Sequence, residues 1–439
     1  MFSHYKSLLL LSSLLCISPF TMAADAEQLD AAATVWMIVS SLLVMFMLVP
    51  GLALFYGGLV QVKNVLSLYT QFLGVAGVVC VLWLCIGYSL SADGTGMLAG
   101  GYNLHSFIGS LEKAFLMGID ENTLIGGVPE YVLIIFGLTF AIITPCIAIG
   151  GFAERMKFSA VMLFAALWLM IVYVPMTHMV WGGEGALFHN WGVLDFAGGT
   201  AVHINAGIAA LVGAIVLGRR QGWPHAVQPP HNLIYTLIGA SLLWIGWFGF
   251  NVGSAFAVDG VAAVAMMTTM VATCGGILGW MMVEKIRTGH VTALGLASGS
   301  IAGLVGITPA AAYVGPFGAI ALGFITAICC YLGVNQLKAK LAIDDALDAF
   351  ALHGIGGIVG CILTGVFCIP ALGGKVAEAQ LMTQVLAQAA SIVVTIIYCS
   401  VFTWCIMKFI EKTIGLRVSP EQEQHGLDIS DHNERAYNH

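Results

Sequence analysis

The chain is 439 residues long with 59% hydrophobic and only 9% charged residues, a composition too apolar for a soluble domain and suited to a polytopic membrane protein. Its net charge of −7 is carried by loops and tail, so no basic face is available for nucleic acid. Eleven cysteines without a CxxC pair support neither a zinc or iron–sulfur site nor a disulfide framework, and read as small apolar packing residues.

Residues 1–23 read as a cleavable signal peptide: Lys6 precedes an apolar core from Leu8 to Phe20, and cleavage is expected near Ala23 or Ala24. An uncleaved anchor is the other reading, but the core is short for a span. Residues 24–410 then hold eleven apolar runs of spanning length, near 33–59, 65–90, 130–151, 158–180, 197–217, 231–253, 259–283, 291–311, 314–333, 347–369 and 385–410. The fold expected is an all-α membrane protein of eleven transmembrane helices, followed by a polar tail over 411–439. Loops after odd-numbered runs, together with the tail, carry thirteen Lys and Arg residues, among them Lys63, Arg155, Lys157, Arg220 and Lys338. The other side has only Lys113 and Lys375, which puts the mature N-terminus outside and the C-terminus in the cytoplasm.

The long loop 91–129 has Gly-rich turns around a segment at Phe107, Leu111 and Phe115 that reads as a short surface helix. Glycines four apart at Gly295/Gly299/Gly303, Gly275/Gly279 and Gly356/Gly360 predict close helix approach. Gly354-Ile355-Gly356-Gly357 follows no strand and does not fit GxGxxG, and no Walker A loop exists, so ATP is not the driving force.

Two stretches stand apart. Asp195 opens one apolar run eight residues before His203, and Asp345 precedes His353 by the same step at the head of another. These are runs 5 and 10, which enter the membrane from opposite faces, the mark of an inverted repeat of five plus five spans with the C-terminal helix left over. Eight helical residues reach about 12 Å inward, so two such histidines meet near the middle of a core about 30 Å thick. No Asp, Glu, Lys or Arg lies in the middle of a run, and a path with only imidazoles suits a small neutral, hydrogen-bonding solute.

Asp195-Phe-Ala-Gly-Gly-Thr-Ala-Val-His203, Trp247-Phe-Gly-Phe-Asn-Val-Gly-Ser254, Pro50-Gly-Leu-Ala-Leu-Phe-Tyr56-Gly-Gly, Gly151-Phe-Ala-Glu154-Arg155 and Asp348-Ala-Phe-Ala-Leu-His353-Gly together resemble the ammonium transporter (Amt/Mep/Rh) family. The likeness runs from about residue 30 into the tail and is nearest to the bacterial members. It implies a transporter with no cofactor, and not an enzyme, in the bacterial cytoplasmic (inner) membrane. It further implies a homotrimer with one pore per subunit, surrounded by membrane lipid.

The resemblance assigns Trp181, Phe140 and Ser254 to an outer site where a cation rests on aromatic faces, and Phe140 with Phe250 to a gate below it. It places His203 and His353 along the pore. By the residues alone, Trp181 also fits an interfacial belt and each phenylalanine a core position. Asp195, matching the family's acid near the outer site, reads from its position as a helix N-cap, as do Asp345 and Asp348 at the other end, while Trp247 and Thr308 read as packing residues. Two departures fall near the outer site: a Trp181–Asp195 connection slightly longer than the bacterial pattern, and Gly137, beside Phe136, where a larger polar residue is usual.

Stripping a proton from ammonium at neutral pH costs about 3 kcal/mol. Carrying the bare cation to the bilayer centre costs a similar amount or more. The expected route is therefore recruitment of the cation, loss of its proton near the gate, and passage of ammonia past the imidazoles. A membrane haem protein and an ammonium sensor with incidental transport are the alternatives. Gly415-Leu-Arg-Val and Gly426-Leu-Asp428 resemble the family's tail pattern, which suggests a tail packed on the loops around Arg155, Lys157 and Lys338, forming part of a docking surface for a PII-type signalling protein.

Overall fold

A computed structural model of the chain describes residues 27–225 and 229–437. The signal-peptide reading lies outside the described residues. Among the described residues eleven helices are long and apolar enough to cross a membrane: Ala31–Leu59, Val62–Ala92, Glu130–Ile149, Phe158–Trp181, Gly199–Leu217, Leu233–Gly253, Gly260–Thr288, Ala293–Ala310, Pro316–Leu341, Phe350–Phe367 and Glu378–Thr413, numbered here as spans 1 to 11.

Polar residues at the starts of several spans set where they begin, by accepting backbone N–H groups that have no partner inside the helix. Asp30 accepts from Ala33 at 2.9 Å, Asn232 from Tyr235 at 3.1 Å, Asp259 from Val261 at 2.8 Å, and Thr292 from Gly295 at 2.9 Å. Span 7 runs to Thr288, five residues past the apolar run that predicted its end at 283. Lys285 and Arg287 suit the negative end of a helix, and Gly289, with φ of 78°, closes it by donating to the Lys285 carbonyl at 3.0 Å. Hydropathy stops where charge begins, but the helix does not.

The spans lie close because glycines let them. A Cβ added at Gly276 of span 7 would stand 2.4 Å from the Gly299 carbonyl of span 8, and one at Gly303 would stand 2.5 Å from the Ala272 carbonyl. Of the expected stripes, Gly275, Gly279, Gly299, Gly303 and Gly360 serve this close approach to backbone, whereas Gly295 makes room for the Glu284 side chain and Gly356 for those of Val305 and Cys330.

The surface helix expected in loop 91–129 is not formed. Short turns at Leu104–Ser106 and Ala114–Leu116 and a two-stranded hairpin, Leu124–Ile125 with Val128–Pro129, take its place. Asp93, Asn103, Ser106 and Ser110 bond locally to backbone or to one another, which competes with a helix, and Phe115 has φ of 56°. Phe107, Leu111 and Phe115 are exposed.

On the face that carries Lys63, Arg155, Lys157 and Arg220, here the basic face, four loops are joined by a buried ion network. Arg220 forms ion pairs with Glu154 at 2.6 Å and Asp344 at 2.7 Å, and the Glu154 carboxylate also accepts from Gln61 N and Asn64 Nδ2. Arg155 donates to the carbonyls of Gly151, Ala153, Gly218 and Asp344. Burial draws the Arg155 guanidinium down to about 10 against the pull of Asp344. For Arg220, burial is outweighed by its two carboxylates, which raise it above its ordinary value.

The tail packs on this face. Val418 N donates to the Arg155 carbonyl, Lys157 N to Leu416 O at 2.9 Å, Leu427 N to Asn64 Oδ1 at 2.8 Å, and Ser67 N to Asp428 Oδ1 at 2.7 Å. Arg417 reaches the Leu217 and Arg219 carbonyls and Glu423. Of the three basic residues expected beneath the tail, Arg155 and Lys157 are there. Lys338 is not: its ammonium turns to the Asp348 carboxylate and the Asp345 carbonyl.

Candidate functional site

The two acid-to-histidine segments are built alike. The Asp195 carboxylate accepts from Gly198 N at 2.8 Å, Gly199 N at 2.6 Å and Thr200 N at 2.7 Å, and also from the Thr200 hydroxyl. The Asp345 carboxylate accepts from Ala349 N at 3.0 Å, Phe350 N at 2.9 Å and Ala351 N at 3.3 Å. Each acid therefore caps the helix carrying its histidine. Both helices begin with a widened π-helical turn, Gly199–Ile204 and Phe350–Ile355, and each histidine sits in that turn. Asp348, the other expected cap, makes none of these backbone bonds. It has φ of 58° and pairs with Lys338. Burial, then the Asp348 carboxylate, push the Asp345 carboxyl up to about 6.

Gly207 and Gly354 bring the two helices together: a Cβ on Gly207 would lie 2.2 Å from Gly354 N. The imidazoles meet beside this crossing, His203 Nδ1 to His353 Nδ1 at 3.2 Å, and both rings are buried. Thr308 fixes how the proton is shared. Its hydroxyl donates to the Leu304 carbonyl at 2.8 Å, so it accepts from Trp247 Nε1 at 3.0 Å and faces His203 Nε2 at 3.3 Å as an acceptor. A neutral His203 then carries its proton on Nε2 and leaves Nδ1 bare, which requires His353 to donate from Nδ1. His353 Nε2 is left as a free acceptor. Thr308 and Trp247, read from sequence as packing residues, set this polarity.

Above the imidazoles the aromatic rings close ranks. Phe140 and Phe250 stack with centroids 4.0 Å apart and planes 17° apart, and both are buried. Phe250 lies 5.9 Å from the His203 ring and Trp247 lies 5.4 Å from it, both stacked. Trp181 meets Phe140 edge-on at 6.1 Å and is 39% exposed. Phe136 adds contacts to Phe140 at 4.9 Å and Phe256 at 5.6 Å; sequence reasoning passed over Phe256. Ser254 donates to the Phe250 carbonyl at 2.8 Å, which leaves its oxygen lone pairs for a cation. Below the stack, a cavity with room for about one water-sized molecule is lined by Phe250, Trp247, Phe55, His203, His353 and unbranched or branched apolar side chains, with no charged group.

The Trp181 indole donates to the Asp195 carbonyl at 3.0 Å, so the cap of span 5 also holds this ring. Gly137 has a local cause: a Cβ there would stand 3.0 Å from the Trp83 ring. The connection 182–194 folds into a short helix, Leu187–Asn190, and is fastened to span 11 through Gln384 and Gln388. Neither glutamine was singled out from sequence, because the search of the spans was for charge and histidine. A third buried histidine escaped the same search. His178 of span 4, with nitrogens 3.1 Å from Ser91 O and 2.8 Å from His105 O, sits near its span's end and joins loop 91–129 to the bundle.

Eleven spans around a short file of aromatic rings and paired imidazoles define a multi-pass membrane transport protein. The chain belongs to the ammonium transporter family, whose profile, described as Ammonium Transporter Family, matches residues 35–437. It is 45% identical to an ammonium transporter of Aquifex aeolicus (strain VF5) over 426 residues, covering 96% of each chain. It is 44% identical to one of Bacillus subtilis (strain 168) over 409 residues, covering 92% of this chain and 98% of the other. Among solved structures, Candida albicans Mep2 superposes with a TM-score of 0.81 at 33% identity, covering 90% of this chain and 88% of that one. A structure titled Sensor Amt Protein superposes with a TM-score of 0.82 at 25% identity, covering 91% and 98%.

Proposed function

We propose that this protein takes up ammonium by holding the cation at Trp181, Phe140 and Ser254, where it gives its proton to water on the Trp181 side of the Phe140/Phe250 gate, and conducting ammonia past His203 and His353. The observation that carries this reading is the neutral, hydrogen-bonded imidazole pair directly beneath a closed aromatic stack. A cation passing the stack would meet one ring proton turned toward Thr308 and another shared between the imidazoles, with no carboxylate among the cavity's lining residues. Ammonia can donate to the free His353 Nε2 there without bringing a charge up to those ring protons. Asp195 adds negative potential near the entrance while its oxygens remain bound to the backbone. The 3.2 Å contact between the Nδ1 atoms is a hydrogen-bond length, whereas two nitrogens on opposite faces of a haem iron, each bonded at about 2 Å, would stand about 4 Å apart. That geometry weighs against the haem alternative.

The Trp181 end faces outward and the basic face lies in the cytoplasm, consistent with the distribution of Lys and Arg. An inverted five-plus-five repeat is supported by the matching π-helical turns at the heads of spans 5 and 10, each carrying its histidine. The protein works as a homotrimer in the bacterial inner membrane after removal of its signal peptide, and its tail forms part of a three-fold docking surface for a PII-type protein. Uptake of labelled methylammonium by vesicles holding the purified protein, with current recorded at the same time, tests the transport reading. The structural neighbour titled a sensor favours a second role, in which ammonium occupancy is signalled and uptake is incidental. Absence of saturable uptake with binding retained would select it.

A further inference from the structure

We infer that Gln388 of span 11 is a positioning residue for cation recruitment, acting through the backbone of Leu194 and Asp195 on Trp181. The inference rests on the recruitment reading given above. The Gln388 side chain is fully buried, and its amide uses both ends. Oε1 accepts from Leu194 N at 2.8 Å and from Gln384 Nε2 at 3.2 Å, while Nε2 donates to Leu194 O at 2.8 Å and Cys361 O at 3.2 Å. Leu194 is thus held by its N–H and its C=O at once, a two-point clamp that fixes both position and orientation.

What it fixes is the residue before Asp195. The Asp195 carbonyl receives the Trp181 indole, and its carboxylate caps the helix of His203. The connection leading there turns at Gly183, Gly185 and Gly192, all with positive φ, and Leu194 is its last residue before the cap. Cys361, the third partner, belongs to span 10 and packs against Gly199, so the same amide registers the entrance against the helix carrying His353. A buried amide in a span is costly unless fully bonded, and a leucine would fill the space without setting the backbone. The span left outside the proposed repeat therefore supplies the reference against which the entrance is set.

The test is labelled methylammonium uptake by vesicles containing wild type, Gln388→Leu, Gln388→Glu or Trp181→Leu, with rates normalised to reconstituted protein. Gln388→Leu is expected to raise the half-saturating concentration about tenfold, the equivalent of about one net hydrogen bond, with the maximal rate held within about twofold. Gln388→Glu keeps the shape but donates only when its carboxyl is protonated. Its half-saturation relative to wild type should therefore fall as the pH is lowered, a response that loosened packing would not give. Wild-type half-saturation in both Gln388 variants, alongside a shifted Trp181→Leu, would overturn the inference and leave recruitment standing. No shift in Trp181→Leu would instead overturn the recruitment reading itself. If Gln388→Leu fails to reach the membrane, Gln388→Glu decides the question: a lowered maximal rate with unchanged half-saturation at every pH would mark Gln388 as purely structural.

Discussion

The segments 195–203 and 345–353 solve one local problem in the same way and then differ in everything around them. Both use a buried aspartate to gather three backbone N–H groups, a π-helical turn, and a histidine eight residues on. Around the first lie aromatic rings and neutral amides: Trp181, Phe140, Phe250 and Gln388. Around the second lie ions: Lys338 on Asp348, with Arg155 and Arg220 meeting at Asp344 next door and Glu154 on Arg220. The shared device places the imidazoles, and the surroundings give each end its own task. On the proposed reading, the aromatic end receives the cation on ring faces and a hydroxyl, since its acid is spent on the helix. The ionic end can anchor the tail, through Arg155, Lys157 and Asn64.

Breaking the shared part should have the largest effect. His203→Leu leaves the His353 Nδ1 proton without its acceptor, and transport is expected to fall by about ten- to a hundredfold, the range for one buried unsatisfied donor. Uptake in vesicles checks this, with His353→Leu expected to match it. A large asymmetry between the two would break the pairing. Next come the parts that differ. Phe140→Ala with Phe250→Ala removes the closed stack, and a structure of the double variant should show an open path from Trp181 to the imidazoles. Ser254→Ala is milder, since one hydroxyl oxygen is lost to the cation: half-saturation should rise about two- to tenfold with the maximal rate retained.

The ionic end offers the smallest effects. An Asp345 carboxyl held near 6 binds its proton more tightly folded than unfolded, so its contribution to stability declines as pH rises from about 4 to about 6. Thermal unfolding in detergent should show this slope in wild type, and Asp345→Asn should flatten it. Truncation after Lys412 removes the partners of Asn64, Ser67 and Lys157. Recovery of the PII-type protein from nitrogen-shocked cells should fall with it, and equal recovery by both forms would remove the tail from the docking surface.

Much of this was legible because it repeats. The eleven runs, the glycine stripes and the eight-residue step from acid to histidine are periodic signals, and a period survives in the sequence. What stayed hidden was contact between elements far apart in the chain. That Asp345 and not Asp348 caps span 10 depends on how the loop turns at Asp348, where φ is positive. That Lys338 leaves the tail for Asp348 depends on a helix running on to Leu341, eight residues beyond the apolar run. Gln388 and Thr308 are single uncharged residues whose weight comes from partners 194 and 105 positions away. The surface helix expected in loop 91–129 failed for a local reason, the density of Gly, Asn, Asp and Ser, which was visible and underweighted.

The central claim is that a cation crosses only by giving up a proton. Rubidium and potassium are close to ammonium in size and have no proton to lose. Vesicles holding the purified protein, given equal gradients of labelled methylammonium and labelled rubidium, should take up methylammonium saturably while rubidium stays at the level of protein-free vesicles. Saturable rubidium entry at a comparable rate would show that the intact cation passes the imidazoles, and would contradict the account.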